Sequence, residues 1–167
     1  MSNPLKRSFL KDKKSRRLLR NLAEKFKIDL KEILKTDKIN IESVEVDSFA
    51  KVLVINGKPL MIERNGIIFP SLMFNEFLCF IPKITVDMGA VRHVCNGADI
   101  MAPGIVRIEG EFDADAIVAV VDERHGKYLA VGEALVNSKE AKGLNRGRVV
   151  KNLHYVGDKV WGVLKKL

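Results

Sequence analysis

Apolar positions recur at helical spacing between Ser8 and Leu34. Leu18, Leu19, Leu22 and Phe26 fall on one face of such a helix, and Lys13, Arg16, Arg17, Arg20 and Lys27 on the other. Asp29 is placed to cap a second short helix, Leu30 to Leu34, because a carboxylate there accepts from the free N–H groups of the first turn. From Asn40 the period shortens to two. Ile39, Ile41, Val44 and Val46 are β-branched, with polar neighbours between most of them. Val52 to Ile55 predicts a strand, Asn56-Gly57 a tight hairpin turn, and Pro59 to Ile62 the returning strand. Asn65-Gly66 predicts a second turn before Ile67 to Phe69, and Pro70 the first turn of a short helix running to about Phe77. Such a meander has an apolar side to bury, and the Leu/Phe stripe supplies the helix that covers it.

Pro82 marks the expected boundary between two domains, residues 1–81 and 82–167. Beyond it the pattern predicts short strands at Lys83–Val86, Ile100–Met101, Ile105–Ile108, Ala116–Val121, Tyr128–Ala134, Val149–Tyr155 and Lys159–Val163. Glycine or proline lies between most of them, which favours a small barrel or sandwich. Glu111, Asp113 and Asp115 make Gly110–Asp115 an acidic, solvated loop. The expected class is α+β, a helix-covered antiparallel sheet followed by a mostly-β unit.

Composition narrows the function. The 167 residues suffice for one ordinary domain or two small ones, and 47% hydrophobic with 30% charged residues is globular rather than disordered. The net charge of +8 is unevenly placed. Residues 1–38 hold 13 Lys/Arg against 5 Asp/Glu, and the rest of the chain holds 16 of each. The excess reads either as a phosphate-facing surface or as a solvated helix face with a basic tail. Cys79 and Cys95 fit neither a disulfide framework nor a metal site. The basic N-terminus has no apolar core of a secretory signal, and the longest apolar run, Ala116–Val121, is too short to cross a bilayer by helix. These features point to a reducing, cytoplasmic setting. A basic helix lying on a membrane surface would explain Lys13 to Arg20, but its apolar stripe is better used over the meander.

The most distinctive stretch runs from Val86 to Ile105. Met88, Val91 and Cys95 share one side of a short helix, with Arg92, His93 and Asn96 facing elsewhere. Gly97 stands where a helix end needs positive φ, and Pro103-Gly104 suits the centre of a type II turn. Gly97, Ala98, Ala102 and Gly104 leave little side chain over the backbone, so a ribose-phosphate chain could approach the amides. The same residues could equally form a corner that closes a barrel.

Val86-Asp87-x-Gly89-Ala90 followed by Asn96-Gly97-Ala98-Asp99-Ile100-Met101-Ala102-Pro103-Gly104-Ile105 resembles the signature of the PUA domain, an RNA-binding module. Asp113–Val121, Lys127–Gly132 and Gly147–Asp158 resemble its later strands in order, so the likeness spans about Pro82 to Val163. The first half resembles the pre-PUA module of the malignant-T-cell-amplified-sequence family and its archaeal relatives, through the basic helix, the Val/Ile meander and Phe69-Pro70-Ser71-Leu72. The resemblance implies a pre-PUA α+β domain followed by a PUA pseudo-barrel. It also implies a translation role with tRNA acceptor ends, small-subunit rRNA and the small ribosomal subunit as partners. Relatives carry a start-codon-recognition domain or find it on a protein partner, and this chain has no residues left for one. Carried over by position, the RNA contacts are Arg92, Asn96, Gly97, Ala98, Asp99, Met101, Ala102, Pro103 and Gly104, with Lys151, His154 and Tyr155 from the closing strands. Met101 would lie against a base and His154 or Tyr155 would stack on one. An ordinary strand aromatic remains open for Tyr155, as does a plain surface or core histidine for His154 and His93.

No catalytic group, metal site or cofactor is expected. His93, His125 and His154 lack metal-ligand spacing, and Asp122–Gly126 reads as a polar hairpin tip. Ser71 and Ser138 have no evident base, and Cys95 falls on the apolar side of its helix. The expectation is a non-catalytic RNA binder. The alternative is a protein-interaction adaptor of a translation or RNA-modification complex, or an accessory subunit of an RNA-modifying enzyme.

Overall fold

A computed structural model describes residues 4–167. The first half builds a five-stranded antiparallel sheet in sequential order: β1 (Arg7–Phe9), β2 (Ile41–Glu45), β3 (Ala50–Ile55), β4 (Lys58–Arg64) and β5 (Ile67–Pro70). Asn56 and Asn65, each followed by glycine, take positive φ at the two tight turns, as their positions demand. Helix α1 (Asp12–Phe26) buries Leu22 against this sheet, with Leu18, Leu19 and Phe26 packed beside it. Phe26 meets Phe77 edge-to-face at 4.9 Å between ring centroids, a favoured aromatic geometry. Helix α2 (Leu30–Leu34) is capped by Asp29, whose Oδ1 accepts from Lys31 N at 2.9 Å.

Two helical expectations are corrected here. The helical stretch does not begin at Ser8, because Ser8 and Phe9 pair as a strand with Ser43 and Glu42. Helix α1 then stops at Lys27, which takes a left-handed φ of 57°. Pro70 does not open a helix. It ends β5 opposite Met61, and helix α3 (Asn75–Leu78) begins five residues later. Proline is tolerated there because β5 is the edge of the sheet and no neighbour needs its missing N–H.

The second half forms a six-stranded sheet from β6 (Lys83–Val86), β7 (Ile100–Met101), β8 (Ile105–Glu109), β9 (Ile117–Asp122), β10 (Tyr128–Ala134) and β11 (Arg148–Tyr155). Its order is β7-β11-β10-β9-β6-β8, with β6 and β9 parallel. The edge strands β7 and β8 are joined only by the turn Ala102–Gly104. A link that short forces the two edges together, so the sheet curls into a half-barrel. Helices α4 (Met88–Val94), α5 (Ser138–Gly143) and α6 (Lys159–Leu164) complete the half.

The expected strand Lys159–Val163 is instead α6. Asp158 caps it, accepting from Trp161 N at 2.6 Å, and Val160 and Leu164 are buried one turn apart. The two sheets share packing. Ile117, Ala119, Val131, Leu153, Val160 and Leu164 join the core beneath the first sheet, while Ile84, Val86, Val118 and Val120 anchor a second core inside the curled sheet. Arg64 Nη1 donates to the Leu153 carbonyl at 2.6 Å across the same junction.

Candidate functional site

The site is built around α4. Asp87 caps it, its Oδ1 accepting from Ala90 N at 2.8 Å. At the other end Ala98 N donates to the His93 carbonyl and Gly97 N to the Val94 carbonyl, the paired bonds of a Schellman stop. That stop requires a left-handed residue, and Gly97 supplies it with φ 93°. Space selects glycine as well. A Cβ at residue 97 would lie 3.1 Å from Tyr155 Oη and 3.2 Å from its ring. The buried residue of α4 is Val94, with Ala90, Val91 and Cys95 packed beside it. Met88, expected on the inward side, is only half-buried, and its backbone N donates to Glu123 at 3.2 Å.

Past the stop, the chain frames a cleft of about 460 Å³ whose wall is mostly apolar. It runs from Val86 and Asp87 along Gly89, Ala90, His93 and Val94, then Ala98 to Met101, to Pro103 and Gly104. Two carboxylates lie in this wall, and both are engaged. Asp87 is the helix cap, and Asp99 accepts from Asn152 N at 3.0 Å and from Arg148 Nη1 at 3.1 Å. Asn152 also donates through Nδ2 to the carbonyls of Val94 (3.1 Å) and Ala98 (3.0 Å). Sequence reasoning overlooked both Arg148 and Asn152. Their partners lie about fifty residues away, so only the register of β11 beside β7 reveals them.

The residues singled out in the sequence divide into groups. Ala98, Asp99, Met101, Pro103 and Gly104 line the cleft, Gly97 forms the helix stop beside it, and Met101 is 45% exposed. Arg92 and Asn96 are exposed on the neighbouring helix end, and Lys151 is exposed on β11. Pro103-Gly104 is not a type II turn. It belongs to a single 3₁₀ turn in which Gly104 lacks positive φ, and a Cβ there would lie 3.1 Å from Ala90 Cβ. Close approach, not backbone twist, is what calls for glycine at 104. Ala102 is buried and offers no side chain to a ligand. Tyr155 is half-buried and leans on Gly97, so its ring roofs the helix stop.

His154 is a correction. Its side chain is fully buried and cannot stack on a base. Leu72 N donates to Nε2 at 3.3 Å, which leaves Nδ1 as the protonated nitrogen, donating to Asp158 Oδ2 at 2.9 Å. The ring thus bolts β11 to the loop before α3. Burial by itself pushes the Asp158 carboxyl up. The hydrogen bond from His154 leads the opposing contributions, with backbone N–H groups of Trp161 and Tyr155, and together they hold it below the ordinary carboxylate value.

The hairpin tip Asp122–Gly126 is closed by Asp122, which accepts from the backbone N of Arg124, His125 and Lys127. Those bonds occupy its carboxylate in turn closure. Burial pushes the Cys95 thiol up, which disfavours the thiolate. Among the described residues no cluster of His, Cys, Asp or Glu is arranged to hold a metal, and no helix is long and apolar enough to cross a membrane. Lys13, Arg16, Arg17, Arg20 and Lys27 all point to solvent, and none belongs to an ion pair among the described residues.

A capped short helix, a glycine stop and a curled sheet closed through a Pro-Gly turn define a PUA-type half-barrel, here preceded by a helix-covered sheet. Residues 82–156 match the PUA domain, and residues 6–77 match a domain of unknown function (DUF1947). A crystal structure of a hypothetical protein from Pyrococcus horikoshii superposes with a TM-score of 0.82 at 32% identity, covering 95% of this chain and 99% of that one. An uncharacterized protein of Methanocaldococcus jannaschii is 38% identical over 93% of this chain and 95% of its own length. The malignant T-cell-amplified sequence 1 homolog of Dictyostelium discoideum is 30% identical over 80% of this chain and 76% of its own. Translation machinery-associated protein 20 of Saccharomyces cerevisiae is 28% identical over 74% and 72%. The chain belongs to the malignant-T-cell-amplified-sequence family.

Proposed function

We propose that this chain is a non-catalytic RNA-binding protein of translation that takes a single-stranded RNA end into the α4–β7 cleft. The cleft is the observation that carries the reading. It is open, Gly89, Ala90, Ala98 and Gly104 leave much of its wall without large side chains, and both of its carboxylates are already engaged. Unstacked bases suit an apolar wall of this kind, and loops and ends are where RNA bases are free to enter. The tRNA acceptor end and small-subunit rRNA are the targets, on the small ribosomal subunit and in the cytoplasm. Membership of the family and the name of the yeast relative support the translation setting. The solvent-facing cations of α1 supply a second, sequence-independent attraction to phosphate. A protein partner bearing a start-codon-recognition domain completes the assembly, and the chain is organised as two domains meeting at Pro82.

The test is tRNA binding across a salt series, for the native protein and for Ala98→Trp, which fills the cleft. Binding should fall log-linearly with salt, and the variant should bind at least tenfold more weakly at every salt. Native affinity for Ala98→Trp would place the RNA elsewhere. Incubation with tRNA followed by nucleoside mass spectrometry should return unmodified RNA. A modified nucleoside would make the chain an enzyme. A second reading, as a protein-interaction adaptor, is favoured by Phe9, Phe49 and Phe80, which are 72%, 68% and 65% exposed. It predicts partners that remain bound after nuclease treatment.

A further inference from the structure

We infer that Asn152, Asp99 and Arg148 form a clamp that holds the cleft lip in its binding shape, with Arg148 as the cation that meets the RNA backbone there. The inference rests on the reading that RNA occupies the α4–β7 cleft. After Gly97 the lip has few internal bonds of its own, because the helix ladder has ended and β7 spans only Ile100 and Met101. Asn152 replaces them from the neighbouring strand. Its Nδ2 carries two protons, and both are spent on the lip: one on the Val94 carbonyl at the end of α4, the other on the Ala98 carbonyl beyond the stop. A single planar amide therefore fixes the distance between the two sides of the glycine turn. Its Oδ1 is buried without a hydrogen-bond partner among the described residues. An unpaired buried acceptor costs free energy, and the two donor bonds of the same amide offset it by tying both sides of the glycine turn to β11.

Asp99 closes the clamp from the lip side. One oxygen accepts the Asn152 backbone N–H, and the other holds Arg148. That pairing has two consequences for an anionic ligand. The Asp99 charge is neutralised, so it no longer repels phosphate at the cleft. The Arg148 side chain stays 63% exposed, and a guanidinium with one N–H on Asp99 keeps four for a phosphate. Asn152 is accordingly a positioning residue, and Arg148 a contact residue, and the two roles have different signatures. A lip released from its clamp lowers affinity by lowering the fraction of binding-competent protein, whatever the salt. A lost phosphate contact lowers affinity and flattens the salt dependence by nearly one unit.

The experiment measures binding of fluorescently labelled tRNA over a salt series for the full-length protein and three variants, with chemical denaturation confirming that each is folded. Asn152→Leu keeps the approximate size and adds no charge, but removes both amide donors from the carbonyls of Val94 and Ala98. It should bind about tenfold more weakly with an unchanged salt slope, and amide hydrogen exchange at Ala98–Ile100 should speed up. Arg148→Ala should reduce the slope by roughly 0.7–0.9, and Arg148→Lys should restore the slope. Ala98→Trp reports on the cleft itself. If Ala98→Trp binds poorly while Asn152→Leu and Arg148→Ala bind like the native protein, the clamp is refuted and the cleft reading stands. If Ala98→Trp binds normally, both are refuted. Should Asn152→Leu not fold, Asn152→Gln replaces it, since the longer amide misplaces the same donors and the same loss is required.

Discussion

Replacing Gly97 by alanine isolates the geometry on which the cleft depends. Residue 97 has φ 93°, and holding an L-residue in left-handed backbone costs about 1–2 kcal/mol. The new Cβ would also sit 3.1 Å from Tyr155 Oη and 3.2 Å from Cε1. Tyr155 is half-buried, so its ring has room to move by a few tenths of an ångström, and that contact adds less than the backbone does. The total destabilisation should be about 1–3 kcal/mol. Urea unfolding followed by the fluorescence of Trp161, the single tryptophan, reads it directly. The midpoint should fall and the slope should stay constant. In a Tyr155→Leu background the same replacement should cost less, because only the backbone strain remains. A Gly97→Ala midpoint within experimental error of the native one would refute the account of the helix stop, and equal costs in both backgrounds would refute the contribution of the ring.

Three further outcomes are expected. Asp158→Ala removes the cap of α6 together with the buried partner of His154, and should cost about 2–4 kcal/mol in the same unfolding assay. Because the folded-state pKa of Asp158 is depressed, its stabilisation is present above the ordinary carboxylate range. That stabilisation is lost as pH falls through the folded value, so the native and variant stabilities should converge only in strong acid. Arg16→Ala with Arg20→Ala should leave stability nearly unchanged, since both residues are exposed, yet lower the salt slope of tRNA binding by roughly 1.4–1.8. An aromatic disulfide reagent should modify exposed Cys79 first and Cys95 slowly, burial having pushed the Cys95 thiol up.

Much of the fold was legible because local chemistry and tertiary packing agree. The Leu22 stripe, the Asn56-Gly57 and Asn65-Gly66 turns and the Asp29 cap each need only their near neighbours, and each forms as their residues require. The failures came where a local pattern had two readings. Lys159–Val163 alternates like a strand, but Asp158 before it and the burial of Val160 and Leu164 one turn apart select a helix. Ser8 and Phe9 extend a helical run in sequence yet pair with β2, an outcome decided by residues more than thirty positions away. The loop of the candidate site was visible from its glycines. Two of its supports were not, because Asn152 and Arg148 reach it only through the register of β11. His154 was expected as a contact only because the resemblance carries over the closing strand, and the alternative of a core histidine is the one the structure shows. Strand alternation turns it to the face opposite Tyr155, where Leu72 and Asp158 enclose it.

Photocrosslinking of tRNA to the native protein, with mass-spectrometric mapping of the joined peptides, tests the central claim most directly. Crosslinks on the lip from Gly97 to Gly104 and on β11 near Arg148 and Lys151 are the predicted result. Crosslinks confined to the five-stranded sheet and α1, with none on that lip, would contradict it.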